Sequence, residues 1–270
     1  MKENKAAVEA GALPSQGAAA PAPSPSGPLF YRRPVPLSLQ LHAQWRLKES
    51  DLAFAAQANV VPLVIGEFAM ASRSYPIVFA ADDAAPLVLL GLEHDNLFVA
   101  DGRWSEGHYI PAYVRRYPFV FIRTLNPEGF ALAIDAQSDR IVQEGEAGVA
   151  LFQDNAASAA TTQALEFCRL FTGEHMATEG FAAALRSHAL LTARNADATL
   201  PGGRKLSLTG FEVVDAEKFA ALPEEVVVDW HRKGWLALVN FHLASLGRFA
   251  DLLSRQIESR TRSAASDPAG

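Results

Sequence analysis

The sequence predicts an α+β fold with a mostly antiparallel sheet in its first half and helices concentrated in its second half. Between Leu29 and Val142 the chain contains short β-type runs bounded by Pro, Gly, Asp or Asn, a pattern typical of strands joined by tight turns. After Asn155 apolar residues recur at helical spacing instead. A mixed α/β arrangement of the same elements is the alternative.

Six short runs in the first half are predicted strands. They are Val35–Leu41, Pro76–Ala80, Pro86–Gly91, Leu97–Ala100, Pro118–Thr124 and Phe130–Asp135. Asp101-Gly102 follows the fourth run, and this dipeptide favours a hairpin turn because both residues accept positive φ angles. Helical spacing in this half is confined to Glu67–Arg73 and Ile110–Arg116.

Two helices are predicted directly after Asn155. Leu165, Cys168 and Phe171 recur at three-residue steps, which places them on one face of the first helix. Thr178 is predicted to begin the second helix, because a threonine side chain is a good N-cap.

The remainder of the second half alternates a strand pair with helices. Pro201–Val214 is predicted as the strand pair, with Gly202-Gly203 as its turn, and Asp215 and Pro223 are predicted to open further helices. The last helix, Trp235–Gln256, has an apolar surface wider than a single stripe. Such a helix is normally buried or covered by another subunit, so this segment is also a candidate surface for homo-oligomer formation.

The ends of the chain differ in composition from the middle. Nineteen of the twenty-eight residues in Met1–Pro28 are Ala, Pro, Gly or Ser, so this segment is predicted to be a flexible, disordered arm. The tail Glu258–Gly270 is predicted to be flexible as well. The rest, residues 29–257, is predicted to form one domain with a β-rich part at 29–142 and a helix-rich part at 155–257.

An internal similarity suggests a repeated unit. Arg73–Phe79 resembles Arg116–Phe121, and in both a Tyr-Pro pair leads from a predicted short helix into a strand, a turn and another strand. We hypothesise two copies of a helix–strand–strand unit that share one sheet. Chance similarity between proline-rich β segments is the alternative.

Charge, cysteine content and hydropathy limit the classes of protein. With 24 basic and 30 acidic residues the formal net charge is −6, which gives no electrostatic reason to expect nucleic acid. The single cysteine cannot form an internal disulfide, which fits a reducing compartment. The longest uncharged apolar stretch, Leu52–Gly66, has fifteen residues, whereas a spanning helix needs about 20. We therefore expect a cytoplasmic protein with no membrane span and no secretion signal.

The best candidate binding site is the segment Asp101–Phe121, because it combines arginines with aromatic and histidine side chains. Its members are Arg103, Trp104, His108, Tyr109, Tyr113, Arg115, Arg116 and Tyr117. Guanidinium groups beside aromatic rings can clamp a carboxylate or phosphate, so the predicted partner is a small anionic ligand or a protein. The alternative is that one arginine caps a helix, the other is solvated, and the aromatic residues fill the core.

Two carboxylates complete the set of candidate site residues. Glu67 follows an apolar run, and it is expected either to cap the helix after it or to lie against an arginine of the repeat-related segment. Asp135 flanks a predicted turn, where Asp commonly accepts backbone N–H bonds.

Metal and nucleophilic chemistry have little support in the sequence. The seven histidines include no pair at i, i+4, and no metal or other cofactor is predicted. His242 lies on the apolar stripe of the last helix and is interpreted as a hydrogen-bonded core residue. Cys168 lies on an apolar helix face, where a thiol is inert packing, and no Gly-x-Ser-x-Gly motif is present.

An ordered series of short strings resembles the SapC family over roughly Val35 to Leu253. The strings include Val61-Pro62-Leu63, Tyr75-Pro76-Ile77-Val78-Phe79, Asp101-Gly102-Arg103-Trp104, Tyr109-Ile110-Pro111-Ala112-Tyr113, Lys233-Gly234-Trp235-Leu236 and His242-Leu243-Ala244-Ser245-Leu246. The family is named for a protein associated with a bacterial surface layer. The resemblance implies that this is a soluble bacterial protein with a role near nutrient uptake or secondary metabolism. It implies no established catalytic residues.

The expected function is therefore that of a non-catalytic cytoplasmic accessory or binding protein of the SapC type. One alternative is an enzyme whose site is assembled from the dispersed residues Glu67, Arg103, His108 and Asp135. The other is a structural protein that self-associates through Trp235–Gln256.

Overall fold

The computed structural model describes residues 28–49, 51–125, 128–145, 147–200, 203 and 205–266. The predicted arm lies outside these residues except for Pro28, and so does Gly202 of the predicted turn. Fifteen strands are present in the described residues: β1 Pro34–Pro36, β2 Arg46–Leu47, β3 Val60–Pro62, β4 Ile77–Ala80, β5 Pro86–Leu89, β6 Val99–Ala100, β7 Arg103–Trp104, β8 Phe119–Leu125, β9 Glu128–Asp135, β10 Ile141–Val142, β11 Val149–Ala150, β12 Phe152–Gln153, β13 Ala156–Ala157, β14 Leu191–Thr199 and β15 Lys205–Val214.

Eight α-helices occur in the same residues, most of the helical length following the strands of the first half. They are α1 Leu39–His42, α2 Phe68–Ala71, α3 Ala112–Arg115, α4 Ala159–Ser187, α5 Ala216–Ala220, α6 Glu224–Arg232, α7 Trp235–Ser245 and α8 Arg248–Ser266. Two 3₁₀ turns, Ala53–Ala55 and Ile65–Glu67, precede β3 and α2. The predicted α+β class is confirmed.

The larger sheet has five antiparallel strands in the order β14-β15-β4-β5-β3. It combines three strands from the first half of the chain with the long β14–β15 hairpin from the second half. The main core lies against this sheet, and its largest fully buried side chains include Tyr75, Phe79, Phe181 and Trp230. Apolar burial of this extent is the main source of the stability of the fold.

A second antiparallel sheet has three strands in the order β1-β9-β8. The remaining strands are short: β2 pairs with β10 and β11, β6 with β7, and β12 with β13. At the β6–β7 turn Asp101 and Gly102 have φ angles of 50° and 71°, so the predicted Asp-Gly hairpin is confirmed.

Helix α4 joins the two sheets. Its 29 residues span about 43 Å at 1.5 Å per residue, and it places Phe181 in the main core and Cys168 against Phe119 and Ile134 of the smaller sheet. The predicted break at Thr178 is wrong, because this hydroxyl donates to the Glu174 carbonyl one helical turn earlier and accepts from the Ile65 N–H. A tertiary contact replaces the cap that the sequence pattern suggested.

The predicted last helix is two helices instead of one. α7 ends at Ser245 and α8 begins at Arg248, with Leu246-Gly247 as a short interruption at which the backbone bonds tighten to an i, i+3 pattern. The helix also continues through most of the predicted flexible tail, as far as Ser266, and Arg260 near its end donates from Nε to a Glu93 carboxylate oxygen at 2.8 Å.

Two strand predictions need correction. Within Val35–Leu41 only a short strand ending at Pro36 forms, and α1 begins at Leu39, where the Ser38 N–H donates to His42 Nδ1. The first strand of the later hairpin is Leu191–Thr199, upstream of the predicted Pro201–Val214. This strand lies at the sheet edge, and its polar sequence lacks the apolar alternation that would have indicated it.

The repeat hypothesis is right in part. In each copy a four-residue helix precedes an antiparallel strand pair, α2 before β4–β5 and α3 before β8–β9, and the first strand begins directly after the Tyr-Pro pair. The shared sheet is wrong, because the two pairs belong to different sheets.

Candidate functional site

Glu67 joins the two helix–strand–strand units. Its Oε1 accepts hydrogen bonds from the Tyr109 hydroxyl at 2.8 Å and from the Ala112 N–H at 2.6 Å, and its Oε2 accepts from the Val64 N–H at 3.2 Å. Ala112 is the first residue of α3, so Glu67 supports the helix of the other unit rather than the helix that follows it. Burial raises the pKa of the Glu67 carboxyl, while the bonds from Ala112, Tyr109 and Val64 oppose that rise.

Arg115 is linked to the Glu67 carboxylate by hydrogen bonds through the Tyr109 hydroxyl. Its Nε donates to the Ile110 carbonyl at 3.0 Å and its Nη2 to the Tyr109 hydroxyl at 2.9 Å. Burial, together with the Glu67 charge, raises the pKa of Tyr109 to about 12, so this phenol is a hydrogen-bond donor at neutral pH. The chain of contacts holds the loop before α3 in place.

Arg116 points to a different environment, as expected for adjacent helical residues. Its guanidinium lies 4.2 Å from the ring centre of Tyr113, 4.4 Å from that of Phe171 and 5.7 Å from that of Tyr31. Its Nε is buried and, among the described residues, has no hydrogen-bond acceptor. Arg116 is thus held by cation–π contacts, and anion binding by this arginine stays a prediction.

Three other members of the arginine–aromatic segment have different surroundings. Arg103 is exposed on the β6–β7 hairpin, while Trp104 Nε1 donates to the Tyr75 hydroxyl at 2.9 Å. His108 Nε2 lies 3.0 Å from Arg255 Nη2. Because an arginine only donates, His108 accepts through Nε2, and its Nδ1–H donates to the Glu106 carbonyl at 3.0 Å.

Asp135 is fully buried and serves as a backbone anchor. Its two oxygens accept from the backbone N–H groups of Arg32, Arg33 and Gln137 and from the Tyr117 hydroxyl. This agrees with the expectation of a turn-stabilising Asp and also fixes the chain before β1.

The four residues that the enzyme hypothesis combines are not connected to one another. Among the described residues no hydrogen bond or ion pair joins any two of Glu67, Arg103, His108 and Asp135. No group of three His, Cys, Asp or Glu side chains in the described part of the chain is arranged to hold a metal ion.

His242 and Cys168 are packed into the core, as the sequence suggested. His242 Nε2 accepts from the Val214 N–H at 3.0 Å and Nδ1 lies 2.9 Å from the Ile77 carbonyl, so the neutral ring has both nitrogens bonded. Burial lowers the pKa of His242 to about 4 and raises that of the Cys168 thiol to about 11. At neutral pH neither group is charged.

A cleft of about 800 Å³ lies elsewhere, between the β14–β15 hairpin and helices α7 and α8. Apolar side chains from both sides form most of its lining. They are Leu206, Leu208, Phe211 and Val213 from β15 and Leu243, Leu246, Phe249 and Leu253 from α7, α8 and the residues between them. Phe211 stacks on Phe249 at 5.9 Å between ring centres. The volume falls in the range of about 300–1,000 Å³ that small-molecule sites have.

The apolar floor of the cleft depends on an irregularity in β15. Leu206 and Leu208 share one face of the strand, and strict alternation would place Phe211 and Val213 on the opposite face. All four side chains are nevertheless buried and line the cleft. One extra residue between the two pairs therefore restores the same orientation.

That extra residue forms a β-bulge. The pairing of β14 with β15 shifts between Arg194 and Ala196, so Thr209 and Gly210 together lie opposite Asn195. Gly210 has a φ angle of 84°, which a glycine adopts without steric cost. Bulges are often found beside functional sites because they redirect side chains.

Sequence reasoning missed this cleft. The signal is visible in Leu206 to Val213, where the apolar alternation changes phase at Gly210, and an isolated glycine inside a strand pattern indicates a bulge. The helices that complete the cleft come from a distant part of the chain, so no local motif marks the whole site.

The helical wall of the cleft is apolar, and most of its large apolar side chains are partly buried against the core. Trp235–Arg262 is long and apolar enough to cross a membrane by length and mean hydropathy, and only 22% of its most apolar window is buried. Core helices of soluble proteins pass the same test, so this observation is weak evidence for a span.

Comparison with known proteins gives a family. The model of the SapC family matches residues 37–252, which agrees with the range of the sequence resemblance. A comparison with curated proteins finds no match, and neither does a comparison with solved structures.

Proposed function

Because this chain belongs to the SapC family, we propose that it is a non-catalytic accessory or binding protein of that family and that the hairpin–helix cleft is its ligand site. In this proposal the protein acts in the cytoplasm, near nutrient uptake or secondary metabolism, without a membrane span. The single cysteine, which is buried and unpaired, supports a reducing compartment.

The observation that carries the proposal is the apolar cleft itself. Ligand sites are typically concave, largely apolar and equipped with a few polar groups, and the polar residues that line this cleft are Arg194, Asn195, Asp197, Asp215 and Glu217. By contrast, Glu67 and Asp135 have their carboxylate oxygens engaged by main-chain and tyrosine donors. Their arrangement stabilises loops, which supports binding over catalysis.

A titration with an uncharged apolar fluorophore, N-phenyl-1-naphthylamine, tests this function. Ala250 lies on the exposed side of α8 and lines the cleft, so Ala250→Trp fills the cleft without disturbing the core. We expect the wild type to bind the probe and Ala250→Trp to bind it at least about tenfold more weakly.

The matched control is Ala183→Trp, which adds the same ring to an exposed position of α4 away from the cleft. This control should keep wild-type affinity. No binding by the wild type, or equal binding by Ala250→Trp, would contradict the proposed site.

A second candidate is self-association through Trp235–Gln256. Trp235, Leu236, Leu238 and Phe241 of this segment are partly buried against the core, and the apolar surface that they leave uncovered favours an interface. A ligand in the cleft and a second copy against the outer side of α7 involve different faces of the helices, so the two proposals are separable by experiment.

A further inference from the structure

The position of Arg194 identifies the chemical class of ligand that the cleft takes. In the β14–β15 pairing Arg194 is opposite Phe211, and Ala196 is opposite Leu208. Directly paired residues project from the same face of a sheet, so Arg194 stands on the same face as the apolar floor. Among the described residues that line the cleft, it is the only basic one.

Three acidic residues line the cleft together with Arg194. Asp197 also lines the cleft, although it pairs with Ser207, and Ser207 alternates with Leu206 and Leu208 on the other face of the hairpin. Asp215 caps α5, because its Oδ1 accepts from the N–H groups of Glu217 and Lys218. Glu217 is the remaining acidic group, exposed on α5.

Arg194 also has unused donor capacity. Its side chain is exposed, and among the described residues it forms no ion pair. An arginine provides five N–H donors that match a carboxylate in two-point geometry. An anionic group at the margin would therefore find a charged partner directly beside the apolar floor.

The helical wall gives the length of the apolar part. From Leu243 to Leu253 the lining residues of α7 and α8 cover roughly 15 Å along the helices, and the cleft is open along one side. This shape suits an extended alkyl chain better than a compact ring system.

From these features we propose that the cleft binds a long-chain amphiphile of the fatty-acid type, with the alkyl chain along α7–α8 and the carboxylate at Arg194. The inference rests on the proposed function and specifies its ligand. The alkyl chain of the ligand supplies affinity through burial of its methylene groups. Arg194 favours an anionic head group over an uncharged one.

Isothermal titration with decanoate and 1-decanol, both below the concentrations at which they aggregate, tests the assignment. We expect wild-type protein to bind decanoate more tightly than 1-decanol, and Arg194→Gln to lose at least about tenfold in decanoate affinity with 1-decanol unchanged. Arg194→Lys should recover part of the loss, since it keeps the charge. In the series octanoate, decanoate, dodecanoate, affinity should rise roughly tenfold for each two added carbons.

Arg232→Gln, at an exposed arginine of α6 outside the cleft, is the control and should behave as wild type. Equal affinities for acid and alcohol, with no effect of Arg194→Gln, would overturn the assignment of the head group while leaving the cleft as a site for apolar ligands. Decanoate binding that survives Ala250→Trp would place the acid elsewhere and also overturn it. If neither compound nor the naphthylamine probe binds the wild type, the proposed function itself is wrong.

Discussion

Buried polar side chains in this protein mainly hold together segments that are far apart in the chain. Glu67 engages the start of α3, Asp135 engages Arg32 and Arg33, and His242 bridges the Val214 N–H and the Ile77 carbonyl. Each bond satisfies a main-chain group that would otherwise be costly to bury. The sequence indicated the role of Asp135 and His242 because a turn and an apolar stripe are local patterns.

Glu67 illustrates what local patterns leave open. Of the two expectations for it, capping the next helix is wrong, whereas lying against an arginine of the repeat-related segment is right in part, because Glu67 is buried and feels the charge of Arg115. The carboxylate also accepts from the first N–H of α3, and Arg115 is linked to it through the Tyr109 hydroxyl. Such an arrangement depends on how two sheets pack, which propensities and spacing do not encode.

Stability should depend on pH through His242. Its pKa is about 4 in the fold, against an ordinary value of 6.5, so between these values the folded state binds fewer protons than the unfolded chain. The free energy of unfolding should therefore fall as the pH drops from about 6.5 towards 4, by roughly 3 kcal/mol at most.

His242→Gln should flatten this part of the curve, because an amide can accept from Val214 and donate to Ile77 without titrating. Urea denaturation across this pH range measures the effect. His231→Gln, at an exposed histidine of α6, should leave the wild-type curve unchanged. Parallel curves for wild type and His242→Gln would show that another group causes the pH dependence.

The β14–β15 hairpin contributes a large part of the cleft lining, yet its first strand was the hardest element to predict from the sequence. The short strands of the first half were predictable because Pro, Gly and Asp mark their ends. β14 lies at a sheet edge and has a polar sequence, so periodicity could not locate it. α4 was divided in the prediction because Thr178 looks like a cap, whereas its hydroxyl bonds to Glu174 and Ile65.

The bulge in β15 should be sensitive to a side chain at Gly210. With φ at 84°, Gly210→Ala should lower the free energy of unfolding by about 1–2 kcal/mol and weaken binding of the naphthylamine probe, because the floor of the cleft shifts. Urea denaturation and the probe titration measure the two effects.

Gly129→Ala in β9 provides the comparison. Gly129 is not among the residues with positive φ, and an added Cβ would meet nothing closer than Thr124 Oγ1 at 3.9 Å. This substitution should be neutral or slightly stabilising. Equal effects of the two substitutions would mean that the bulge is not strained by a side chain.

For the whole molecule, the sequence predicted the α+β class and the family, while the relative placement of its parts came only from the structure. The repeated unit shows the limit clearly, because both copies form the same elements yet join different sheets. The cleft likewise combines β15 with helices that follow much later in the chain. Pairings of this kind depend on long-range packing, which a single sequence does not reveal.

The apolar segment Trp235–Gln256 leads to a prediction about oligomeric state. If copies associate through the outer side of α7, Ala237→Glu combined with Ala244→Glu should reduce the molar mass measured by light scattering to that of one chain, since both residues are exposed and buried like charges repel. Ala183→Glu on α4 should leave the molar mass unchanged. A wild type that is monomeric over the accessible concentration range would rule out this surface as an interface.

The order of elements in the cleft has a consequence during biosynthesis. A ribosome produces the β14–β15 hairpin before α7 and α8, so Leu206, Leu208, Phe211 and Val213 emerge while their covering helices are still unmade. Nascent apolar surface of this kind attracts chaperones and neighbouring chains. If the cleft binds the proposed ligand, only polypeptides whose translation has passed the last of these helices can bind it.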